Sequence, residues 1–490
     1  MMNLKINNES FLYDAYGLVQ AFYQGEKPKV FLNKELPEGE ESVEIRVEHD
    51  KISMECNGEY SGDIAIDEAD RSDTKNRLKR LIYEVLSKKV QISLPWGTLT
   101  GIRPTKIPLK KLMAGETEAE VQRYMKETYL CSDEKISLAT NIAKRELSVM
   151  GEIGDKYALY IGIPFCPSIC LYCSFSSYPM GLYQKKSDAY LDALMKEIAF
   201  AGEHFKHRTL DTIYIGGGTP SSLSASQLDR LLLAVEEHLD LSALREFTVE
   251  AGRPDSITED KLRVLANHNI DRISVNPQTM HQKTLDLIGR FHTVEQIRES
   301  FSLARQISDE AKAQGKKGFF INMDLIVGLP GESKEDVAKT LAEVKKMKPD
   351  NLTVHSLAIK RSSRLNIQWE NYENELFVNS KDIMEMVHEA AKEMGMSPYY
   401  MYRQKQISGN LENIGFAPEG KECLYNIEIM EELCDIVALG AGSACKKVGR
   451  NAEGSTDLKI KVERCENVKD VDLYIQRIDE MIERKRQLYL

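Results

Sequence analysis

From about residue 156 the chain alternates short apolar runs with stretches of helical periodicity, and this alternation constrains the fold more than any other feature. The runs are YALYIGI (157–163), DTIYIGG (211–217), REFTVEA (245–251), DRISVN (271–276), FFINMDLIVG (319–328) and NLTVHSL (351–357). Between them lie segments such as DAYLDALMKEIAFAG and ASQLDRLLLAVEEHL, whose apolar residues recur at helical spacing. Six strands, each followed by a helix, predict an α/β fold with a mostly parallel sheet and right-handed crossovers. A closed eight-unit barrel would need two more units, so an open or partial (βα)6 barrel is expected over residues 151–400. Binding residues in such folds lie at the carboxyl ends of the strands.

The flanking regions read differently. Residues 1–150 form an expected N-terminal α+β domain. PKVFLNKE and SVEIRVEHDKISMEC alternate apolar and polar residues as strands do, and Leu78, Leu81, Ile82, Val85 and Leu86 share a helical face. LPWGTLTGIRPTKIP, with three prolines and two glycines, reads as a loop. Residues 401–490 are irregular and set apart as a small C-terminal accessory region. It ends in a helix with Val471, Ile475, Ile478 and Ile482 on one face.

A net charge of −11 argues against an electrostatic grip on nucleic acid or anionic membrane. No run approaches the roughly 18 apolar residues of a membrane span, and the opening MMNLKINNESFLYDAYG does not read as a signal peptide. Nine cysteines, an odd number and not arrayed as a secreted disulfide framework, suit a reducing compartment, so a cytoplasmic location is expected.

Three of those cysteines are not scattered. Cys166, Cys170 and Cys173 stand as C-x3-C-x2-C in the loop after the first strand. A structural zinc site wants four ligands, and no partner pair follows. A redox C-x-x-C is present in CLYC but leaves Cys166 without a role. A four-iron cluster held by three thiolates keeps one iron open for a substrate or cofactor, as a catalytic zinc keeps a vacant position.

This spacing, with Tyr172 just before the last cysteine, resembles the signature of radical S-adenosylmethionine enzymes. YIGIPFC, YIGGGTPSSL, TVEAGRPD, RISVNPQT, LIGRFHT, MDLIVGLPGE and VALGAGSA, in that order over about residues 157–445, resemble the oxygen-independent coproporphyrinogen III dehydrogenase and haem-chaperone group. WGTLTGIRPTK and YMYRQKQISGNLENIGFA are similar to its HemZ-type branch. The resemblance implies a [4Fe-4S] cluster on Cys166, Cys170 and Cys173, with S-adenosyl-L-methionine on the open iron. Reductive cleavage then gives a 5′-deoxyadenosyl radical, and the protein's part is to orient the reactants and exclude water and oxygen.

The same resemblance assigns Gly217, Gly218 and Thr219 to the methionyl amine, and Arg290, Tyr160 and Tyr172 to binding of the cofactor. Glu250, Gln278 and Asp324, in or just after strands three to five, can hydrogen-bond ribose hydroxyls and adenine edges. Taken singly, each is as often a helix cap or a satisfied surface residue. The implied reaction is oxidative decarboxylation of coproporphyrinogen propionates to vinyl groups. A low-potential flavodoxin- or ferredoxin-type protein is the implied electron donor. A propionate-bearing tetrapyrrole needs basic partners, and the candidates are Arg103, Lys106, Lys360, Arg361, Arg364, Arg403 and Lys405. The alternatives are a haem carrier, for which His355 is the candidate iron ligand, and another tetrapyrrole-directed radical enzyme such as a methyltransferase. Gly162 replaces the His of many relatives. Phe175 stands where coproporphyrinogen dehydrogenases proper have a fourth cysteine.

Overall fold

The alternation in SVEIRVEHDKISMEC resolves into an antiparallel hairpin of Ser42–Val47 and Lys51–Cys56. Val43 faces Cys56, Ile45 faces Met54 and Val47 faces Ile52, so one face of both strands is apolar and buried. These features come from a computed structural model, which describes the chain apart from residues 1, 24–27, 37–39, 68, 152–154, 373–378, 405–410 and 450–460. The described chain divides into two units, Met1–Arg145 and Glu146–Leu490.

In the first unit, a five-stranded sheet runs in the order Lys29–Leu32, Asn3–Ile6, Ser42–Val47, Lys51–Cys56, Tyr60–Ala65. Helices Glu9–Phe22 and Arg71–Val90 supply the rest of its core. Asp70 caps the second helix by accepting from the Ser72 and Asp73 amides, and the predicted stripe from Leu78 to Leu86 is buried. The tryptophan loop is shorter than its sequence suggests. Trp96 is fully buried, and Lys106, Ile107 and Pro108 already belong to a helix, Lys106–Met113. Proline is tolerated there because the first-turn amides have no intrahelical partner.

In the second unit the six predicted strands are Lys156–Ile163, Thr209–Gly217, Glu246–Gly252, Arg272–Val275, Phe320–Val327 and Asn351–Ser356. They lie side by side in chain order and all parallel, the partial (βα)6 barrel expected. Their near-continuous burial is that of parallel strands covered on both faces. Ser224, Thr293 and Ser333 start the helices after strands two, four and five with capping boxes.

Residues after 400 do not form a region apart but extend this sheet at both edges. Ser397–Tyr402 and Asn413–Ala417 add antiparallel strands beyond the sixth. Asp435–Leu439 pairs parallel with the first strand, followed by Ala444–Val448 and Val462–Glu466, giving eleven strands. These added strands are only five or six residues long, too short for periodicity to expose them. The C-terminal periodicity belongs to two helices, Val471–Gln476 and Ile478–Tyr489, separated at Arg477. Lys485 of the last helix is fully buried, its Nζ 2.6 Å from Glu197 Oε1 on helix Ser187–His204. This pair ties the tail to the barrel's outer layer.

Candidate active site

The cysteine loop leaves the first strand at Ile163 and is tied to three neighbours. The Tyr178 amide donates to Pro164 O (2.8 Å), and the Leu171 amide donates to Ile288 O (2.8 Å). The Leu365 amide donates to Leu171 O (2.9 Å), and Arg364 donates to Ile169 O. Leu171, Ile288, Ile326, Leu329, Leu357 and Leu365 form an apolar cushion beneath it. All three thiols are free, half-buried and close enough to influence one another's ionisation. Burial pushes the Cys166 thiol up to about 11 against the Thr219 hydroxyl, which donates to Cys166 Sγ at 3.5 Å. Among the described residues no three metal-ligating side chains converge as a single ion would require. A cubane places each thiolate on its own iron, so it needs no such convergence. Tyr172 neighbours Cys170, its phenol raised by burial and by the neighbouring thiols. Phe175 is 73% exposed.

The turn after the second strand closes onto this loop. The Gly218 amide donates to Ile163 O (2.8 Å) and the Thr219 amide to Phe165 O (2.7 Å). Gly217 has φ +108°, a conformation reserved for glycine. A Cβ on Gly218 would stand 2.7 Å from Phe165 O and 3.0 Å from Cys166 Sγ. The backbone is thus bared beside the thiols, as a cofactor held by main-chain groups requires.

Glu250, at the end of the third strand, is bonded by the Tyr214 hydroxyl. Burial pushes its carboxyl up to about 7, with the Asp324 charge adding to the rise while Tyr214 and the Gly217 amide oppose it. Asp324 accepts from Asn322 Nδ2 at 2.7 Å, and its carbonyl accepts from the Gln278 amide at 2.9 Å. Gln278 has φ +66° and is buried, and its Oε1 has no hydrogen-bond partner among the described residues. Tyr160 stacks on Tyr214 and Tyr425 with ring centroids 6.3 and 6.2 Å apart. Its hydroxyl lies 3.4 Å from where a Gly217 Cβ would be.

Arg290 is 3% exposed, and among the described residues the only hydrogen bond of its guanidinium is a 3.5 Å contact from Nη2 to Gly252 O. Nε and Nη1 have no partner among the described residues. A buried guanidinium left this way is costly unless a ligand carboxylate completes it. The residues therefore fit the implied groups: three thiols, a glycine cradle, carboxylates, and an arginine with unused donors.

The substrate candidates are dispersed. Arg103 and Lys106 belong to the first unit. Arg403 is buried beside the edge strand Ser397–Tyr402, and Lys405 lies outside the described residues. Arg364 braces the cysteine loop, whereas Arg361 is exposed. Lys360 is half-buried and lowered by burial, and among the described residues no carboxylate pairs with it. His355 is lowered by burial against the raising effect of Asp324, and its Nδ1 is 3.3 Å from the Tyr402 hydroxyl. Sequence reasoning passed over Tyr214, Tyr425 and Arg253. The last sits in TVEAGRPD three residues beyond Glu250, and its place at a strand end was the available signal.

Residues 160–344 match the Radical SAM superfamily. The chain is 38% identical over 475 residues to the oxygen-independent coproporphyrinogen-III oxidase-like protein HemZ of Bacillus subtilis, covering 94% of this chain and 91% of that protein. It is 39% identical over 201 residues to the haem chaperone HemW of Lactococcus lactis, covering 41% of this chain and 49% of the chaperone. Among solved structures, the Escherichia coli coproporphyrinogen III oxidase HemN aligns with a TM-score of 0.52 at 23% identity, covering 69% of this chain and 72% of that one.

Proposed function

Given that the chain belongs to the radical S-adenosylmethionine superfamily, in the family of HemN, HemZ and HemW, we propose that it decarboxylates propionate side chains of coproporphyrinogen III to vinyl groups without oxygen. The cofactors of this superfamily are a [4Fe-4S] cluster and S-adenosyl-L-methionine. When bound, they supply a 5′-deoxyadenosyl radical that removes a hydrogen atom from the substrate. The carbon–carboxylate bond of the propionate then breaks, carbon dioxide leaves, one electron passes to an acceptor, and the vinyl group remains.

The chain's own residues do the rest. Cys166, Cys170 and Cys173 hold the cluster, the 217–219 turn and Arg290 take the methionyl amine and carboxylate, and Glu250, Gln278 and Asp324 hold the ribose and adenine. The observation that carries the cofactor placement is the buried Arg290 with two unused donors. Lys360 and Arg361, just beyond the sixth strand and next to the segment that braces the cysteine loop, are the propionate partners the geometry favours. Arg103, Lys106 and Arg403 remain candidates on charge alone. The end-to-end similarity to an oxidase-like protein supports this substrate over haem carriage, since the chaperone similarity covers less than half of the chain. We place the reaction in the cytoplasm with a flavodoxin- or ferredoxin-type donor. Among the described residues no helix is long and apolar enough to cross a membrane.

The test is anaerobic incubation of reconstituted protein with S-adenosylmethionine, reductant, an electron acceptor and coproporphyrinogen III, followed by mass analysis. Loss of two carboxyl groups is expected. One equivalent of haem bound with no decarboxylation, and that binding abolished in His355→Ala, would instead establish the carrier reading.

A further inference from the structure

Arg253 follows the third strand and is 3% exposed, yet it makes more polar contacts to the cysteine loop than any residue assigned above. Its Nη1 lies 3.6 Å from Cys170 Sγ and 3.4 Å from Ser168 O, and its Nη2 donates to Ser168 Oγ at 3.1 Å. Ser168 in turn donates to Gly289 O at 2.7 Å. On its other edge the guanidinium forms a two-pronged pair with Asp255, Nε to Oδ1 at 3.0 Å and Nη2 to Oδ2 at 2.8 Å. Behind Asp255 stands His292, fully buried, with Nδ1 3.6 Å from Oδ1. Burial alone would raise Asp255, but His292 and Arg253 overcome it and hold the carboxyl well below its ordinary range. The Arg253 backbone is pinned too: its carbonyl accepts from Ser256 Oγ at 2.7 Å, and Ser256 Oγ shares a 2.6 Å bond with Ser221 Oγ.

The contact is unequal among the three thiols. Cys166 meets the Thr219 hydroxyl, and Cys173 meets the Phe175 amide and the Ser177 side chain, all neutral donors. Among the described residues, only at Cys170 does a hydrogen bond to sulfur come from a cation. Hydrogen bonds and charges at cluster sulfurs are levers on reduction potential, because a nearby cation favours the state carrying the added electron. The ion pair does not cancel the effect: its positive end touches the sulfur and its negative end lies on the far edge.

We propose that Arg253 is a positioning residue which fixes Ser168 and Cys170 and, through its charge on the Cys170 sulfur, raises the reduction potential of the iron–sulfur centre. The proposal rests on the three thiols holding that centre. Wild-type protein that took up no four-iron cluster would sink that assignment, whereas loaded protein with unmoved potentials sinks only the role of Arg253.

The experiment reconstitutes wild type, Arg253→Gln and Asp255→Asn anaerobically. It counts iron and sulfide, then titrates each with a poised reductant while following the electron paramagnetic resonance signal of the reduced cluster. Arg253→Gln removes the cation and leaves the Asp255 charge, so at a fixed applied potential its reduced-to-oxidised ratio should fall about tenfold, which is 59 mV for one electron. Asp255→Asn leaves the cation unopposed and should shift the potential the other way. A residue that merely braces the loop would give no such pair of opposite shifts. Equal potentials in all three proteins, or shifts of the same sign, overturn the proposal, as does failure of both variants to hold four irons. If only one variant loads, the sign of its shift decides.

Discussion

Two arginines of the barrel are buried to the same extent, 3% exposed, and the structure makes opposite predictions for them. Arg272 is paired with a carboxylate: Nη2 lies 3.0 Å from Glu246 Oε2 and 3.0 Å from both Lys421 O and Glu422 O, and Nη1 bonds Asn351, so that among the described residues Nε alone lacks a partner. Arg290 has one long contact and two idle donor atoms. Replacing Arg272 with Met strands the Glu246 carboxylate and should cost about 3–5 kcal/mol of unfolding free energy. Replacing Arg290 with Met removes a buried charge that no carboxylate among the described residues pairs with. Unfolding free energy should therefore hold or rise by about 1 kcal/mol. The loss should appear only on binding. A charged hydrogen bond is worth about 1.5–3 kcal/mol, so losing one raises Kd for S-adenosylmethionine by roughly one to two decades. Urea denaturation of the cofactor-free proteins measures the first quantity, and anaerobic calorimetry with the reconstituted proteins the second. If Arg290→Met unfolded like Arg272→Met while binding the cofactor at wild-type affinity, Arg290 would be a structural residue and the site would be misplaced.

Glu250 should give a pH signature. Its folded value of about 7 lies above the unfolded one, so its contribution to stability is fully present below about pH 4.5 and lost as pH rises through 7. A cationic sulfonium favours the carboxylate, so cofactor affinity should weaken several-fold from pH 8 to pH 6, and Glu250→Gln should flatten that profile in the same calorimetry. Gly218→Ala drives a methyl into Phe165 O and Cys166 Sγ and should abolish iron retention while far-ultraviolet circular dichroism stays unchanged. Cys170→Ala should lose the cluster and Cys434→Ala keep it; iron analysis giving the reverse would refute the ligand assignment. Lys485→Met leaves Glu197 buried with the neutral Gly440 amide, Tyr474 and Asn467 as its partners among the described residues, and should lower unfolding free energy by about 3–5 kcal/mol. Adding Glu197→Gln should recover part of that loss, and a further drop in the double variant would show the pair is not the cause.

The parallel strands and the cysteine loop were legible because each leaves a local mark: apolar runs bounded by turns, and an uncommon residue at fixed spacing. The edge strands were not, because Asn413–Ala417 and Asp435–Leu439 are five residues long and gain their burial from neighbours far away in the chain. The C-terminal helix was read as continuous because Val471 and Ile478 are both buried, and periodicity carries no trace of the break at Arg477. Arg253 and Arg290 illustrate the same limit inside the site. Both follow strand ends, but whether a guanidinium is spent on Asp255 and Cys170 or left with unused donors depends on partners that only the folded chain brings near.

That difference in partners bears on what the pocket can accept. An empty site that served only stability would pair its charges internally, as Arg272 and Glu246 do. Here the buried groups are left mismatched: an arginine without a carboxylate, a glutamate driven toward neutrality by burial and by a neighbouring aspartate, and a glutamine carbonyl without a donor. Each defect costs stability in the absence of ligand, and a carboxyl raised like that of Glu250 marks places where proteins bind and react. A ligand that removes all three at once must carry an anion for Arg290, a positive charge or hydroxyls for Glu250 and Asp324, and a donor for Gln278. S-adenosylmethionine carries a carboxylate, an ammonium, a sulfonium, two ribose hydroxyls and an adenine amine. A neutral or purely anionic small molecule would leave at least one of the defects in place and should bind this pocket more weakly.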